Sequence, residues 1–244
     1  MKKLFLILFH ARLLIAGENP YFPYPNYDGP KEYEVYVNHL DFLAKLLPDN
    51  PVILEAGAHY GFDTLKFAKR WPASQIHSFE PNPHAFENLT KKTQDLPNVH
   101  RYPLALNTHN GETSFHLCYG STGNDPIYEG ASSLLDAADF MKIHYQGPCI
   151  TVPCVILDDW CKQNRISHFD LLWLDLEGME LQILYNSPEI LKTVKVIFTE
   201  TNFRSFRLGM TLYHHLKAFL EKQGFRQLAH WYDPNIQGNA IFVR

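Results

Sequence analysis

The run Phe169 to Leu174, broken only by Asp170, is followed at once by three acids: Asp175, Glu177 and Glu180. A stretch this apolar and this short suits a strand covered on both faces, as in a parallel sheet flanked by helices. Gly178 marks the turn into a following helix, so the acids lie at the strand's carboxyl end. In open α/β sheets that edge is where ligands bind. The same acids would equally cap the next helix, whose positive N-terminus favours carboxylates. This segment alone balances catalysis against capping, and the rest of the chain decides.

From Pro51 onward, short apolar strands alternate with helical patterns, which predicts a doubly wound α/β sheet. Strands are expected at Val52 to Leu54, Gln75 to Phe79, Val99 to Tyr102, Ile150 to Val155 and Val194 to Thr199. Helices are expected at Thr64 to Arg70, His84 to Thr93, Asp158 to Asn164 and Leu212 to Lys222. Glu112 to Cys118 alternates like an edge hairpin, and Gly224 to Trp231 with Asn239 to Val243 reads as a closing β-pair. The 244 residues allow one large domain, residues 51–244, preceded by an extension over residues 1–50.

That extension divides in two. Lys2 and Lys3 before Leu4 to Phe9 and Leu13 to Ala16 imitate a secretory signal, but His10 and Arg12 interrupt the apolar region. It falls short of the ~20 apolar residues that span a bilayer. An N-terminal helix packed on the body is expected, with weak membrane contact through residues 4–16 as the lesser reading. Asn19 to Pro30, rich in proline and tyrosine, reads as an extended linker or a loop wrapping the domain. A net charge of −4 gives no electrostatic footprint for nucleic acid. Cys118, Cys149, Cys154 and Cys161 lack zinc-like spacing, so buried thiols are expected and no metal centre.

The first strand leads into Glu55-Ala56-Gly57-Ala58-His59-Tyr60-Gly61. Gly57 and Gly61 allow a tight turn and a close ligand approach. The phosphate-loop pattern is absent, and His59 stands where a dinucleotide fingerprint needs its second glycine. Glu55 would repel a phosphate but accept hydrogen bonds from an ammonium group. The second strand ends in Phe79-Glu80-Pro81-Asn82-Pro83, where a carboxylate accepts hydrogen bonds from ribose hydroxyls; the competing reading makes Glu80 a helix-terminal charge ahead of an Asn82 cap. An ammonium-tolerant glycine turn beside a ribose clamp points to S-adenosyl-L-methionine, which carries an amino acid, a sulfonium and an adenosine but no phosphate.

With these motifs stand Ala131-Ser132-Ser133-Leu134, Leu157-Asp158-Asp159-Trp160, Asp175-Leu176-Glu177-Gly178-Met179-Glu180 and the closing Gly238 to Arg244. In this order they resemble the FkbM-type S-adenosylmethionine-dependent methyltransferases, from about Pro51 to the C-terminus. The resemblance implies a class I methyltransferase fold: a Rossmann-like, doubly wound, mostly parallel seven-stranded sheet with an antiparallel C-terminal strand. It also implies methyl transfer to a hydroxyl oxygen, often of a sugar. Two positions depart from the family pattern: Glu55 where Asp is usual, and His59 where Asn is usual.

The resemblance implies a division of labour. Asp175 would face the cofactor and Glu177 the acceptor, with Glu177 as general base. Gly57, Ala58, His59, Gly61, Glu80, Pro81, Ser132 and Ser133 would contact the cofactor, although a loop cap explains the two serines as well. Glu180 is expected on the helix surface or as a structural partner. Glu200, Arg204 and His144 are candidates for a small hydroxylated, carbohydrate-like acceptor, with residues 119–146 as a lid over it. Arg207, in the segment Phe203 to Arg207 whose aromatic and guanidinium groups suit a sugar ring or an anionic acceptor, is equally expected as a solvated surface residue. Two rivals stand beside this function: a nicotinamide- or nucleotide-sugar-binding enzyme, and a catalytically silent cofactor-binding module. Because the methyl donor is made inside cells, a cytoplasmic location is expected.

Overall fold

The computed structural model describes residues 26–30 and 39–244. The expected N-terminal helix over residues 4–16 therefore lies outside the described residues. Among the described residues the first elements are β1 (Asn26–Asp28), α1 (His39–Leu43), β2 (Val52–Ala56), α2 (Phe62–Arg70), β3 (Gln75–Phe79), α3 (Pro83–Thr93) and β4 (Val99–Tyr102). It continues through β5 (Ala105–Leu106), β6 (Gly111–His116), β7 (Cys149–Val155), α4 (Leu157–Asn164), β8 (Leu171–Leu174), α5 (Glu180–Tyr185) and α6 (Pro188–Leu191). It closes with β9 (Val196–Asn202), α7 (Tyr213–Lys222), β10 (Arg226–Tyr232) and β11 (Gln237–Val243).

The principal sheet runs β1-β10-β11-β9-β8-β2-β3-β4. Strands β4, β3, β2, β8 and β9 are mutually parallel, and β11 enters antiparallel between β9 and β10. This is the doubly wound, mostly parallel sheet with an antiparallel C-terminal strand that the sequence implies. The order reverses between β2 and β8, where β2 leads out to β3 and β4 on one side. Such a reversal leaves a crevice outside the carboxyl ends of the strands.

Alternation along the strands builds one core on each face. Leu54 and Ala56 of β2 face the core formed with α4, α5, α6 and α7; Ile53 faces the core that includes Phe42 of α1 and Phe67 of α2. Trp173 of β8 stacks on Phe198 of β9 at 3.7 Å, and Phe67 meets Trp173 edge-on at 5.1 Å. Asn82 caps α3, its side chain accepting from the His84 N–H at 3.1 Å, with Pro83 in the first turn.

Four expectations need correction. Asn26–Asp28, expected in a linker, pairs antiparallel with β10 as an eighth strand, and α1 buries Leu40, Phe42 and Leu43 in the core. Glu112 to Cys118 does supply an edge strand, β6, but not a hairpin: its antiparallel partner β7 lies across a long connection, in a separate sheet of order β5-β7-β6. The fifth parallel strand extends past Thr199 to Asn202, because β11 pairs along its whole length up to Gln237 opposite Asn202. Of the four cysteines, Cys118, Cys154 and Cys161 are buried but Cys149 is exposed.

Phe67 is fully buried against Trp173. Phe67→Ala is expected to lower unfolding stability by about 3–5 kcal/mol in urea titration, with the far-ultraviolet circular dichroism unchanged.

Candidate active site

Three strand ends meet at the carboxyl edge of the sheet. The Phe79 carbonyl accepts both the Gly57 and Ala58 N–H groups at 3.0 Å, and the Asp175 N–H donates to the Ala56 carbonyl at 3.0 Å. The turn after β2 is thus fastened on both sides. Gly57 has φ +86°, and a Cβ there would collide with the Asp175 carbonyl oxygen, so only glycine fits. Gly61, at φ +73°, makes the expected tight turn into α2. It packs against Leu89 of α3 and does not face the ligand space, so it sets a helix contact.

Between these turns lies a cavity of about 430 Å³. Gly57, Ala58, His59, Glu80, Pro81, Ser132, Ser133 and Asp175 all border it, so most of the expected cofactor-contacting residues are brought together. Glu80 is 5% exposed and accepts the His59 N–H at 2.7 Å on Oε2 and the Asn82 N–H at 2.8 Å on Oε1. Each carboxylate oxygen retains acceptor capacity toward the cavity. Burial pushes the Glu80 pKa up to about 7, against the pull of those two backbone donors.

Among the described residues, the cavity wall carries four acids, Asp63, Glu80, Glu129 and Asp175, and neither lysine nor arginine. Glu129 had no signal in the sequence, because it sits in an unpatterned segment. It is buried in a 3-10 turn, Pro126–Ala131, where it accepts from the Tyr60 hydroxyl at 3.0 Å and lies 2.8 Å from His84 Nδ1. Tyr60 in turn stacks on His59 at 3.9 Å. This acid therefore fastens the residue 126–131 wall to the glycine turn and to α3.

Glu55 departs from expectation. Strand alternation turns it toward α2, where its Oε2 accepts from Thr64 Oγ1 at 2.5 Å and Ser78 Oγ at 2.7 Å, and it does not border the cavity. Burial pushes its pKa up to about 8. The two serines also spend their hydroxyl protons on the backbone. Ser132 Oγ donates to the Glu129 carbonyl at 2.6 Å, and Ser133 Oγ donates to the Glu177 carbonyl at 3.2 Å.

At the end of β8, Glu177 takes the left-handed conformation, φ +51°, and is 7% exposed. Glu180, expected on a helix surface or as a structural partner, is buried in the second role. Its Oε1 accepts from the Leu176 N–H at 3.0 Å and the Gly178 N–H at 3.4 Å, closing the turn beneath Glu177. One oxygen each of Asp175, Glu177 and Glu200 lie within 4.8 Å of one another. Asp175 borders the cavity, while Glu177 and Glu200 stand just behind its wall.

The remaining acceptor candidates separate from this group. Arg204 is exposed and His144 is half-buried beside Ser121 Oγ at 3.2 Å; neither borders the cavity. Arg207, expected on the surface, is 1% exposed. Its guanidinium donates to the Ala131 carbonyl and, at 2.9 Å, to the Leu135 carbonyl, and lies 4.5 Å over the Tyr145 ring. Tyr145 borders the cavity, and burial together with the Glu177 charge raises its pKa. Neither residue announces itself in sequence, since both acquire their roles through contacts across the fold.

The sequence profile of the methyltransferase FkbM domain matches residues 55–227. The 2-O-methyltransferase NoeI of Sinorhizobium fredii is 25% identical over 207 residues, 83% of this chain and 83% of that protein. The methyltransferase sdnD of Sordaria araneosa is 25% identical over 221 residues, covering 81% of this chain and 83% of that protein. Among solved structures, Aeropyrum pernix fibrillarin with S-adenosyl-L-methionine bound aligns at a TM-score of 0.48 and 10% identity, over 81% of this chain and 68% of that one.

Glu55 yields a pH prediction. Its folded pKa of about 8 lies above the ordinary 4.5, so folding takes up a proton between those values. Its contribution to stability is present below pH 4.5 and is lost as pH rises through about 8. In thermal melts across that interval, Glu55→Gln should lose less stability than the parent chain as pH rises; Glu80 and Glu180, also shifted upward, leave a residual slope.

Proposed function

The chain belongs to the FkbM methyltransferase family, whose methyl donor is S-adenosyl-L-methionine, and we propose that it methylates a hydroxyl oxygen of a small carbohydrate-like acceptor. The observation that carries this reading is the charge that the described residues give the cavity wall: four acids and no lysine or arginine among them. A pyrophosphate in that wall would meet carboxylates without a compensating cation, which weighs against a dinucleotide. A sulfonium and an ammonium gain from the same carboxylates. The intact Asp175 and Glu177 weigh against a silent module.

In this reading Glu80 accepts the ribose hydroxyls, the Gly57 to His59 turn supports the methionine portion, and Asp175 faces the amino group. The bound donor supplies an electrophilic methyl carbon at a sulfonium; the protein's part is alignment and proton removal. Glu177 would take the proton from the acceptor hydroxyl as the methyl leaves the sulfonium sulfur for that oxygen. Glu180 acts one step behind, because its bonds to the Leu176 and Gly178 N–H groups hold Glu177 in its left-handed turn. Arg207, through Tyr145, backs the acceptor side. Oxygen as the methylated atom draws support from the 2-O-methyltransferase relative. A cytoplasmic location follows from the intracellular supply of the donor; no helix among the described residues is long and apolar enough to cross a membrane.

Two substitutions test the roles separately. Glu80→Ala should weaken S-adenosylhomocysteine binding ~10–100-fold by calorimetry, the scale of a lost charge-assisted hydrogen bond. Glu177→Gln should leave that affinity nearly unchanged while abolishing transfer of a labelled methyl group to a glycoside acceptor. An unchanged rate in Glu177→Gln removes it as the base.

A further inference from the structure

Five consecutive residues, Ile127 to Ala131, border the cavity as one wall. They form most of the 3-10 turn Pro126–Ala131, begun by Asp125, whose side chain accepts from the Ile127 N–H at 3.1 Å. A 3-10 turn this short holds itself together poorly, so contacts with other segments set its place. On one flank the Cys118 N–H donates to Ser132 Oγ at 3.1 Å, and the Arg207 guanidinium donates to the Ala131 carbonyl. On the other flank Glu129 crosses to the glycine turn and to α3, through the Tyr60 hydroxyl at 3.0 Å and His84 Nδ1 at 2.8 Å.

Glu129 thereby joins the two lips of the cavity mouth. Ile127 on the wall is 51% exposed and Phe62 at the start of α2 is 38% exposed, yet both border the cavity, so the cavity meets solvent at these residues. Glu129 itself is buried, and a buried carboxylate needs partners. His84 is half exposed and its bond is screened by water, so Tyr60 carries the larger share of the tie. The Tyr60 ring is held by its stack on His59 at 3.9 Å, which fixes where the hydroxyl points. If the wall swings outward, water replaces both partners and the carboxylate stays satisfied. The bond is thus exchangeable at modest net cost, as the contact that holds a lid must be.

We propose that Glu129 is a positioning residue of the donor site: through Tyr60 it latches the wall of residues 126–131 to the glycine turn, and the latched wall closes the cavity mouth over the bound donor. The proposal rests on S-adenosyl-L-methionine as the occupant of the cavity. Opening the latch admits the donor and releases S-adenosylhomocysteine, and closing it keeps water from the sulfonium. Glu129 acts through Tyr60, which stacks on His59, whose N–H donates to Glu80 at 2.7 Å. The latch and the ribose-binding carboxylate therefore belong to one chain of contacts. Within residues 119–146, expected as a lid over the acceptor, this places residues 126–131 over the donor.

Hydrogen exchange on the full chain without ligand reads the latch, and stopped-flow release of S-adenosylhomocysteine reads its use. Tyr60→Phe removes the hydroxyl and keeps the ring, so it tests the tie with less disturbance of the fold than Glu129→Ala. In Tyr60→Phe the amides of residues 126–132 are expected to exchange ~10-fold faster, the scale of one hydrogen bond to a charged group, with the rest of the chain unchanged. S-adenosylhomocysteine should leave the same variant ~10-fold faster. Glu129→Gln, which still accepts from the Tyr60 hydroxyl, should stay closer to the parent chain than Glu129→Ala in both readouts. Parent-like exchange over residues 126–132 in Tyr60→Phe, or acceleration spread over the whole chain, overturns the latch. Faster exchange there with unchanged release overturns its role in holding the donor. Failure of the parent chain to bind S-adenosylhomocysteine refutes the donor assignment instead, and the ligand-free exchange still decides the latch.

Discussion

The site depends on one close approach, that of the turn after β2 to the turn after β8. Gly57 lies so near the Asp175 carbonyl that no side chain fits between them, and the Asp175 N–H closes the gap onto the Ala56 carbonyl at 3.0 Å. On its other flank the Gly57 turn is tied to Phe79, the residue before Glu80. Two cavity-lining residues, Glu80 and Asp175, are therefore fixed relative to one another by backbone bonds rather than by long side chains. Such preorganisation keeps reorganisation low when charge moves in the site.

Around that constraint the protein accumulates buried acids. Glu55, Glu80 and Glu180 all have pKa values raised by burial, to about 8, 7 and 7. They fill different roles. Glu55 ties α2 to β3 through Thr64 and Ser78, Glu180 closes the turn that carries Glu177, and Glu80 alone of the three borders the cavity. The described residues of the wall carry four acids and neither lysine nor arginine, a charge that suits a cationic, phosphate-free ligand.

The sheet was legible because its strands are short apolar runs and its turns carry glycine or proline, both local signals. Gly57, Glu80 and Asp175 could be placed together because each ends a parallel strand, and the topology brings parallel strand ends to one edge. Glu55 could not, since one residue of strand alternation decides between the cavity and α2. Glu129, Tyr145 and Arg207 were also hidden: each owes its role to contacts between segments far apart in the chain, such as Tyr60 with Glu129 and Arg207 with Leu135. Asn26–Asp28 looked like a linker because its pairing partner, β10, lies some two hundred residues away.

The central claim is that the acid-walled cavity receives S-adenosyl-L-methionine rather than a dinucleotide. Calorimetric titration of the parent chain with S-adenosylhomocysteine and, separately, with NAD tests it most directly. The account predicts saturable binding of one S-adenosylhomocysteine per chain and no heat from NAD. Binding of NAD without binding of S-adenosylhomocysteine would contradict it.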